Sequence, residues 1–354
     1  MPRVLVLPGW VATSGHGVHT PDHKAFGVSH FHERGYEPVV FDRPVRPASK
    51  RRPHMPTRHG VPLAGDIRPQ LTAWVRQRDI DLVYAPWSQR YALLLRYLRA
   101  GGLLRRPIVC LIHSPLAPKM THGAQGLAAR VALRGTDGLP CITSGVARQI
   151  SALGWHSDRV SVATLGPDAA FYPAPEEPGE GFVAAGISWR DLELFGLAAT
   201  EAAVPATIVC RPGDISPAFA AFGDNVRIVG PMAYERLLPL YRSARALAVP
   251  LKEVHYQRGI WGLFDGLASS KPVIMTRTSL VDVDLEGDGV GISVPPGDKE
   301  AWVTALRRLH DDPDEAVQMG RRGRALVDAG LNSRTFAHRL MDLFDSILGI
   351  DTRA

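Results

Sequence analysis

The chain has 354 residues, 45% of them hydrophobic and 21% charged, a balance that excludes a disordered, collagen-like or polar linker protein. At roughly 100–200 residues per domain, its length fits two domains or one large one. The formal charge of +6 is unevenly placed: residues 1–173 carry 22 basic and 10 acidic side chains, net +12, whereas residues 174–354 carry 19 and 25, net −6. Such a split points to two halves with different partners, because local potential steers anions and membranes.

In chain order, short apolar runs predict buried strands over residues 4–7, 38–41, 81–84, 108–112 and 139–143. Amphipathic segments over 21–34, 67–77, 91–99, 126–133 and 145–153 predict helices between them, the last with Ser144 as its N-cap. Strands alternating with helices argue for a parallel sheet covered on both faces. Four prolines between Leu165 and Pro178 then mark a linker. The alternation restarts, with strands predicted over 182–185, 207–210, 226–229, 246–249, 272–275 and 291–294. Helices are predicted over 191–199, 235–244, 261–269, 299–310, 313–329 and 334–348. Cys110, Cys141 and Cys210 lie in apolar runs and read as buried thiols rather than metal or redox groups. The first apolar run is cut by Pro8-Gly9, too short for a secretory signal. No stretch nears the ~18 apolar residues of a membrane span. These features predict a cytoplasmic protein, with a contact at the inner face of the membrane as a further expectation.

In the second half one run begins at Asn225-Val-Arg-Ile-Val-Gly-Pro-Met and continues through residues 237–250. It resumes at Gly262-Leu-Phe-Asp-Gly-Leu-Ala-Ser-Ser-Lys-Pro-Val-Ile-Met-Thr, then at Asp288-Gly-Val-Gly-Ile-Ser-Val-Pro-Pro-Gly-Asp, and ends at His310-Asp-Asp-Pro. In order and spacing these segments resemble the nucleotide-sugar half of retaining GT-B glycosyltransferases, the group called glycosyltransferase group 1 or family 4. The first half matches more loosely, through a Gly-containing loop after the first strand and Cys141-Ile-Thr-Ser before a helix. The resemblance implies an α/β fold of GT-B architecture, two Rossmann-like doubly wound domains facing a central cleft. It divides the chain into an acceptor-binding domain over 1–168, a Pro-rich linker over 169–180 and a nucleotide-sugar-binding domain over 181–333. A helix over 334–354 is expected to cross back to the first domain.

The implied reaction moves a sugar from a nucleoside diphosphate to an acceptor hydroxyl, with retention and without a metal or other cofactor beyond the nucleotide sugar. The family carries two carboxylates eight positions apart where it contacts the donor, and the matching window is Gln257-Arg-Gly-Ile-Trp-Gly-Leu-Phe-Asp265. Asp265 holds the position that grips the ribose. Gln257, which donates and accepts hydrogen bonds but carries no charge, replaces the first acid, and Glu253 or His255 is a candidate for the missing contact. Gly259 and Gly262 precede Asp265 and would let backbone amides approach a phosphate. The family's two diphosphate cations are reduced to a shifted Arg190, with Arg211 at the next strand end as a second candidate. Gly230 and Met232 match the backbone that reads the base. On the acceptor side, Gly15, Gly17 and His19 match the family's Gly-rich loop. His113 at a strand end matches a residue near the reacting sugar carbon, read as orienting the donor or polarising the acceptor. Asp42 after the second strand keeps a dehydrogenase reading open.

Two metal readings compete poorly with a solvated surface. Asp282 and Asp284 mimic the Asp-x-Asp of another glycosyltransferase fold class, and His16, His19, His23, His30 and His32 lack clear carboxylate or Cys partners. The segment from Arg43 to His59, with Lys50, Arg51 and Arg52 at its centre, reads as a solvated loop, an anionic membrane contact or a clamp for a phosphorylated acceptor. No nucleic-acid motif accompanies it. An anionic or lipid-linked acceptor follows as an expectation. A nucleotide-sugar epimerase or hydrolase, or a binding protein without catalysis, stands as the alternative.

Overall fold

A computed structural model describes residues 1–9, 11, 20–41, 63–87, 89–172, 179–186, 189–252, 256 and 258–350. The described chain forms two compact units. The first holds the N-terminal strand, Asp22–Leu165 and the chain from Arg334 onward, and the second holds Gly166–Ser333.

In the first unit, β1 (Arg3–Val6), β2 (Glu37–Val39), β3 (Leu82–Ala85) and β4 (Ile108–Cys110) form a parallel sheet ordered β2-β1-β3-β4. A second parallel pair, β5 (Leu139–Cys141) and β6 (Val160–Val162), meets β4 through bridges at Val109–Gly138 and Ile112–Cys141. The helices are α1 (Leu63–Val75), α2 (Leu93–Ala100), α3 (Gly123–Arg134) and α4 (Ser144–Ser151). Thr143 rather than Ser144 caps α4, accepting a hydrogen bond from the Val146 amide at 3.3 Å. The helix therefore starts one residue earlier than its sequence suggests, since Thr offers the same cap chemistry.

The helix expected over 21–34 is instead two 3-10 turns, Asp22–Ala25 and Val28–Arg34. They are broken at Phe26 and Gly27, with φ of 49° and 85°. The reason is packing. A Cβ on Gly27 would lie 3.3 Å from the backbone of Ala337 in the last helix, α10 (Ser333–Leu348). Phe344 of α10 stands edge-on to Phe31, Tyr36 and Tyr84, with centroids 5.5–5.7 Å apart. Tyr36 donates to the Asp345 carboxylate at 2.6 Å, and Arg34 pairs with the same carboxylate.

The second unit is a six-stranded parallel sheet ordered β12-β11-β10-β7-β8-β9. Its strands are β7 (Phe182–Ala185), β8 (Ala206–Val209), β9 (Val226–Val229), β10 (Ala246–Val249), β11 (Val273–Thr276) and β12 (Gly291–Val294). Its helices are α5 (Leu192–Ala202), α6 (Tyr234–Ser243), α7 (Ile260–Ala268), α8 (Lys299–Asp311) and α9 (Pro313–Asp328). Phe195 and Trp302, with Leu306 and Leu309, fill one face of this sheet. Val183, Val209, Tyr241 and Leu247 fill the other. The first strand, β7, lies between β8 and β10, so the order reverses there. In parallel α/β sheets the crevice at such a reversal, beyond the carboxyl ends of the strands, is where ligands bind.

Candidate functional site

The loops that leave β7 and β10 are joined at this reversal. Arg190 forms an antiparallel bridge with Leu251. The Asp191 amide donates to the Pro250 carbonyl at 3.0 Å, and the Lys252 amide donates to the Trp189 carbonyl at 3.1 Å. The Leu251 amide donates to Thr276 Oγ1 at 2.9 Å, which fixes the loop to the end of β11. Asp191 then caps α5 by accepting from the Leu194 amide.

Two glycines make room for a cation in this frame. Gly186 has φ of +151°, and a Cβ there would sit 2.6 Å from Arg190 Nε. A Cβ on Gly262 would come within 3.9 Å of Arg190 Nη2 and 3.0 Å of Val249. The Arg190 guanidinium therefore lies between the β7 loop and the first turn of α7. Burial draws its pKa down to about 10, against the raising charges of Tyr241 and Asp265, and nearby Arg258 lowers it further. It remains a cation at neutral pH in a poorly solvated place, where its field is stronger than on an open surface.

The first turn of α7 adds to that field. Gly259, at φ +80°, is its N-cap and supplies no side chain. A Cβ there would lie 2.7 Å from Val249, so the left-handed turn and the close approach both require glycine. The first amides of α7 thus point from the helix N-terminus without a side-chain cap, a place that favours anions. Arg258, one residue earlier, lies over the rings of Trp189 and Tyr256, 5.8 and 5.9 Å from their centroids. Trp189 is 54% exposed.

Asp265 sits on the same helix but is 4% exposed. Its Oδ1 accepts from the Tyr172 hydroxyl at 2.5 Å and from Tyr234 at 3.3 Å, and its Oδ2 accepts from Tyr241 at 3.2 Å. Burial first, then the Asp265 charge, pushes all three phenols above their ordinary range, so they stay protonated donors. The carboxylate thus serves as the hub of a tyrosine cluster.

The other predicted residues spread around the same end of the sheet. Gly230 and Met232 follow β9 and line a hollow of about 360 Å³ with Arg227, Pro231, Arg236 and Leu240. Arg211 follows β8 and forks onto Asp214, with Nε to Oδ2 at 3.1 Å and Nη2 to Oδ1 at 3.3 Å. Asp282 and Asp284 line a second hollow of about 310 Å³ after β11, where Asp284 takes the Gly287 amide at 3.0 Å. Among the described residues, no group of three or more His, Cys, Asp or Glu side chains is placed to hold a metal. Gln257, Glu253 and His255 lie outside the described residues.

In the first unit, His113 follows β4. Its Nε2 donates to the Pro86 carbonyl at 2.6 Å, and its ring stands edge-on to Phe26 at 5.0 Å. Burial lowers its pKa, partly opposed by that hydrogen bond, so the ring is neutral with Nδ1 as its acceptor nitrogen. Gly15, Gly17, His19, Asp42, Lys50, Arg51 and Arg52 lie outside the described residues. His23 and His30 are placed, and neither is a solvated surface residue. His23 is fully buried, and His30 hydrogen-bonds the carboxylates of Asp22 and Glu33 at 2.7 and 2.9 Å.

Sequence reasoning missed Trp189, Arg258 and the three tyrosines. Arg258 lies inside the matched window and carried a signal, a cation beside the two glycines. The tyrosines carried none, since they come from three separate segments. Among the described residues, no helix is long and apolar enough to cross a membrane.

Residues 28–171 match the model of Glycosyltransferase Family 4, and residues 197–312 match that of Glycosyl transferases group 1. The chain is similar to D-inositol 3-phosphate glycosyltransferases. It is 34% identical over 107 residues to that of Kineococcus radiotolerans and 32% over 95 to that of Corynebacterium kroppenstedtii. The matches cover 28% and 27% of this chain but only 24% and 20% of those relatives. Among solved structures it resembles Anabaena HepE in complex with UDP, with 14% identity, a TM-score of 0.68, and 98% and 100% of the two chains covered. It also resembles a Rickettsia africae glycosyltransferase, with 14% identity, a TM-score of 0.71 and 99% of each chain covered. Sucrose-phosphate synthase from Thermosynechococcus elongatus gives 17% identity, a TM-score of 0.70, and coverage of 99% and 100%. The fold is that of the GT-B class.

Proposed function

The chain belongs to the group 1 glycosyltransferases, and from that membership we propose that it transfers a sugar from a nucleoside diphosphate to an acceptor hydroxyl. The observation that carries this reading is the enclosed Arg190 guanidinium beside the uncapped first turn of α7, at the strand reversal of the second unit. A departing diphosphate gains negative charge as the glycosidic bond breaks. A cation and helix amides held in place beforehand stabilise that charge without reorganising. Arg258 is a second cation for the same group, and Trp189 offers an aromatic face to the ligand. The hollow at Gly230 and Met232 takes the base, and UDP is the first nucleotide to test because neighbouring folds bind it.

Asp265 acts from behind. With both oxygens taken by phenols, it holds Tyr234 and Tyr241 and supplies a countercharge to Arg190. Tyr234, the weakest of its three donors and only partly buried, is the member placed to exchange that bond for a ribose hydroxyl. Gln257 takes the polar contact to the donor sugar in place of an acid. The neutral His113 accepts through Nδ1 from a sugar hydroxyl and is not a general base.

Transfer proceeds with retention and needs no resident metal in this reading. The acceptor binds the first, basic half and carries phosphate or a lipid phosphate, in keeping with relatives named for an inositol phosphate. Lys50, Arg51 and Arg52 add an anionic contact there. A thermal-shift panel of nucleoside diphosphates, each with and without EDTA, tests the donor half. UDP should raise the melting temperature in both conditions; no response to any nucleoside diphosphate sinks the reading. Nucleotide release without an acceptor would instead assign a hydrolase or epimerase.

A further inference from the structure

Between Asp81 and Asp137 the sequence runs 55 residues without an acid while carrying eight Lys and Arg. This span builds α2, β4 and α3. Part of its charge is used internally: Arg96 is buried, and Arg99 grips Asp137 at 2.7 Å. The outer face of α3 is different. Gly126, Ala129, Ala132 and Leu133 face the core, which turns Leu127, Arg130, Val131 and Arg134 outward. With spacings of three and four residues, those four side chains form one patch.

A helix packed against a core in water usually turns polar residues outward. Here Leu127 is 66% exposed and Val131 is 38% exposed, with Arg130 and Arg134 beside them. Tyr97 of α2 extends the apolar strip, since its hydroxyl donates to the Ala128 carbonyl at 3.2 Å. Arg159 extends the basic rim, its Nη1 bonding the carbonyls of Arg134 and Thr136 at 2.7 Å each. Asp158 lies at this edge, 4.0 Å from Arg159.

We propose that this face docks on an anionic lipid bilayer. Tyr97, Leu127 and Val131 enter the headgroup region, while Arg130, Arg134 and Arg159 meet lipid phosphates. Apolar side chains flanked by cations along the helix are the chemistry of an interfacial helix. The outer face of a helix is convex and this one bears a single sign of charge, which suits a laterally fluid surface of opposite charge better than a fitted pocket. The proposal extends the lipid part of the reading above and is independent of the sugar chemistry.

The test is cosedimentation with phosphatidylcholine vesicles, with and without phosphatidylglycerol. The full chain should pellet only with the anionic vesicles. Arg130→Gln with Arg134→Gln should weaken that binding roughly 25-fold, at about fivefold per arginine. Leu127→Glu with Val131→Glu should abolish it. UDP-induced thermal shifts of both variants should match the parent, which shows that they are folded. Unchanged vesicle binding by both variants overturns the proposal, as does a parent that ignores anionic vesicles. A concentration-dependent dimer in sedimentation velocity, dissolved by Leu127→Glu without vesicle binding, would also overturn it by assigning the face to a second copy. Vesicle binding lost in the variants without any UDP response in the parent would leave the surface standing and sink the donor site.

Discussion

The two units each enclose an arginine, and the contrast separates a cation that braces helices from the one proposed to meet a ligand. Arg96 in the first unit is buried within helices. Its Nε donates to the Ala132 carbonyl at 3.1 Å and Thr136 Oγ1 at 2.8 Å, pinning α2 to α3. The helices meet so closely that a Cβ on Gly135 would fall 1.8 Å from the Arg96 carbonyl oxygen. Arg190 in the second unit is held in a loop at the end of a sheet, in space left by Gly186. Burial lowers both pKa values. Enclosure alone therefore does not mark a functional cation. What separates the pair is position: one cation closes a gap between helices, and the other stands where strand order reverses.

The largest expected effect breaks this contrast if it is wrong. Arg190→Gln should cut turnover with a nucleotide sugar by roughly 10²–10³, the usual loss when one preorganised charge donor is removed, with a change in melting temperature of only a few degrees. Arg96→Met should do the reverse, leaving nucleotide affinity intact. It should cost about 3 kcal/mol of stability, because Thr136 and the Ala132 carbonyl lose a charged hydrogen bond. Kinetics and calorimetry on the two variants decide the matter; equal losses of activity would erase the distinction.

A smaller effect sharpens the account of Asp265. If the carboxylate works through its phenols, Tyr234→Phe should raise KM for the donor several-fold and narrow the preference for ribo- over 2′-deoxyribonucleotide. Asp265→Asn should weaken binding of both sugars equally, by unsettling Tyr241 and Arg190. A selective loss of ribose discrimination in Asp265→Asn alone would return the ribose contact to the carboxylate.

The strands were legible because buried parallel strands are short apolar runs, and β7, β9, β10 and β12 match the predicted ranges residue for residue. The segment over 21–34 was not, because its break at Gly27 answers to Ala337, more than three hundred positions away. The glycine-rich approach to Asp265 could be read locally, since Gly259 and Gly262 lie within one turn of helix. The enclosure of Asp265 could not, since Tyr172, Tyr234 and Tyr241 converge only once the sheet is assembled. Arg211 shows the opposite limit: its place after a strand is visible in the sequence, but its pairing with Asp214 three residues on is seen only in the structure.

The remaining effect concerns acid, and it should fall on the first unit. His23 is fully buried there, and burial, helped by the Lys24 charge, lowers its pKa to about 3. Its folded pKa lies below the unfolded value near 6.5, so the unfolded chain binds the proton first. The stability tied to neutral His23 is therefore complete above pH 6.5 and declines as pH falls toward 3. At pH 5 the loss is about 2 kcal/mol. His30 acts in the opposite sense. Burial disfavours its charge, but hydrogen bonds to Asp22 and Glu33 more than offset this and raise its pKa. Its contribution is complete below 6.5 and lost as pH rises through the raised value. A simple melting curve against pH mixes the two, and His23→Leu separates them: the variant should lose most of the destabilisation between pH 7 and 5. If the second unit melts separately, its transition should move less over that interval. Equal acid sensitivity in His23→Leu and the parent would mean that the buried imidazole is not what couples the first unit to protons.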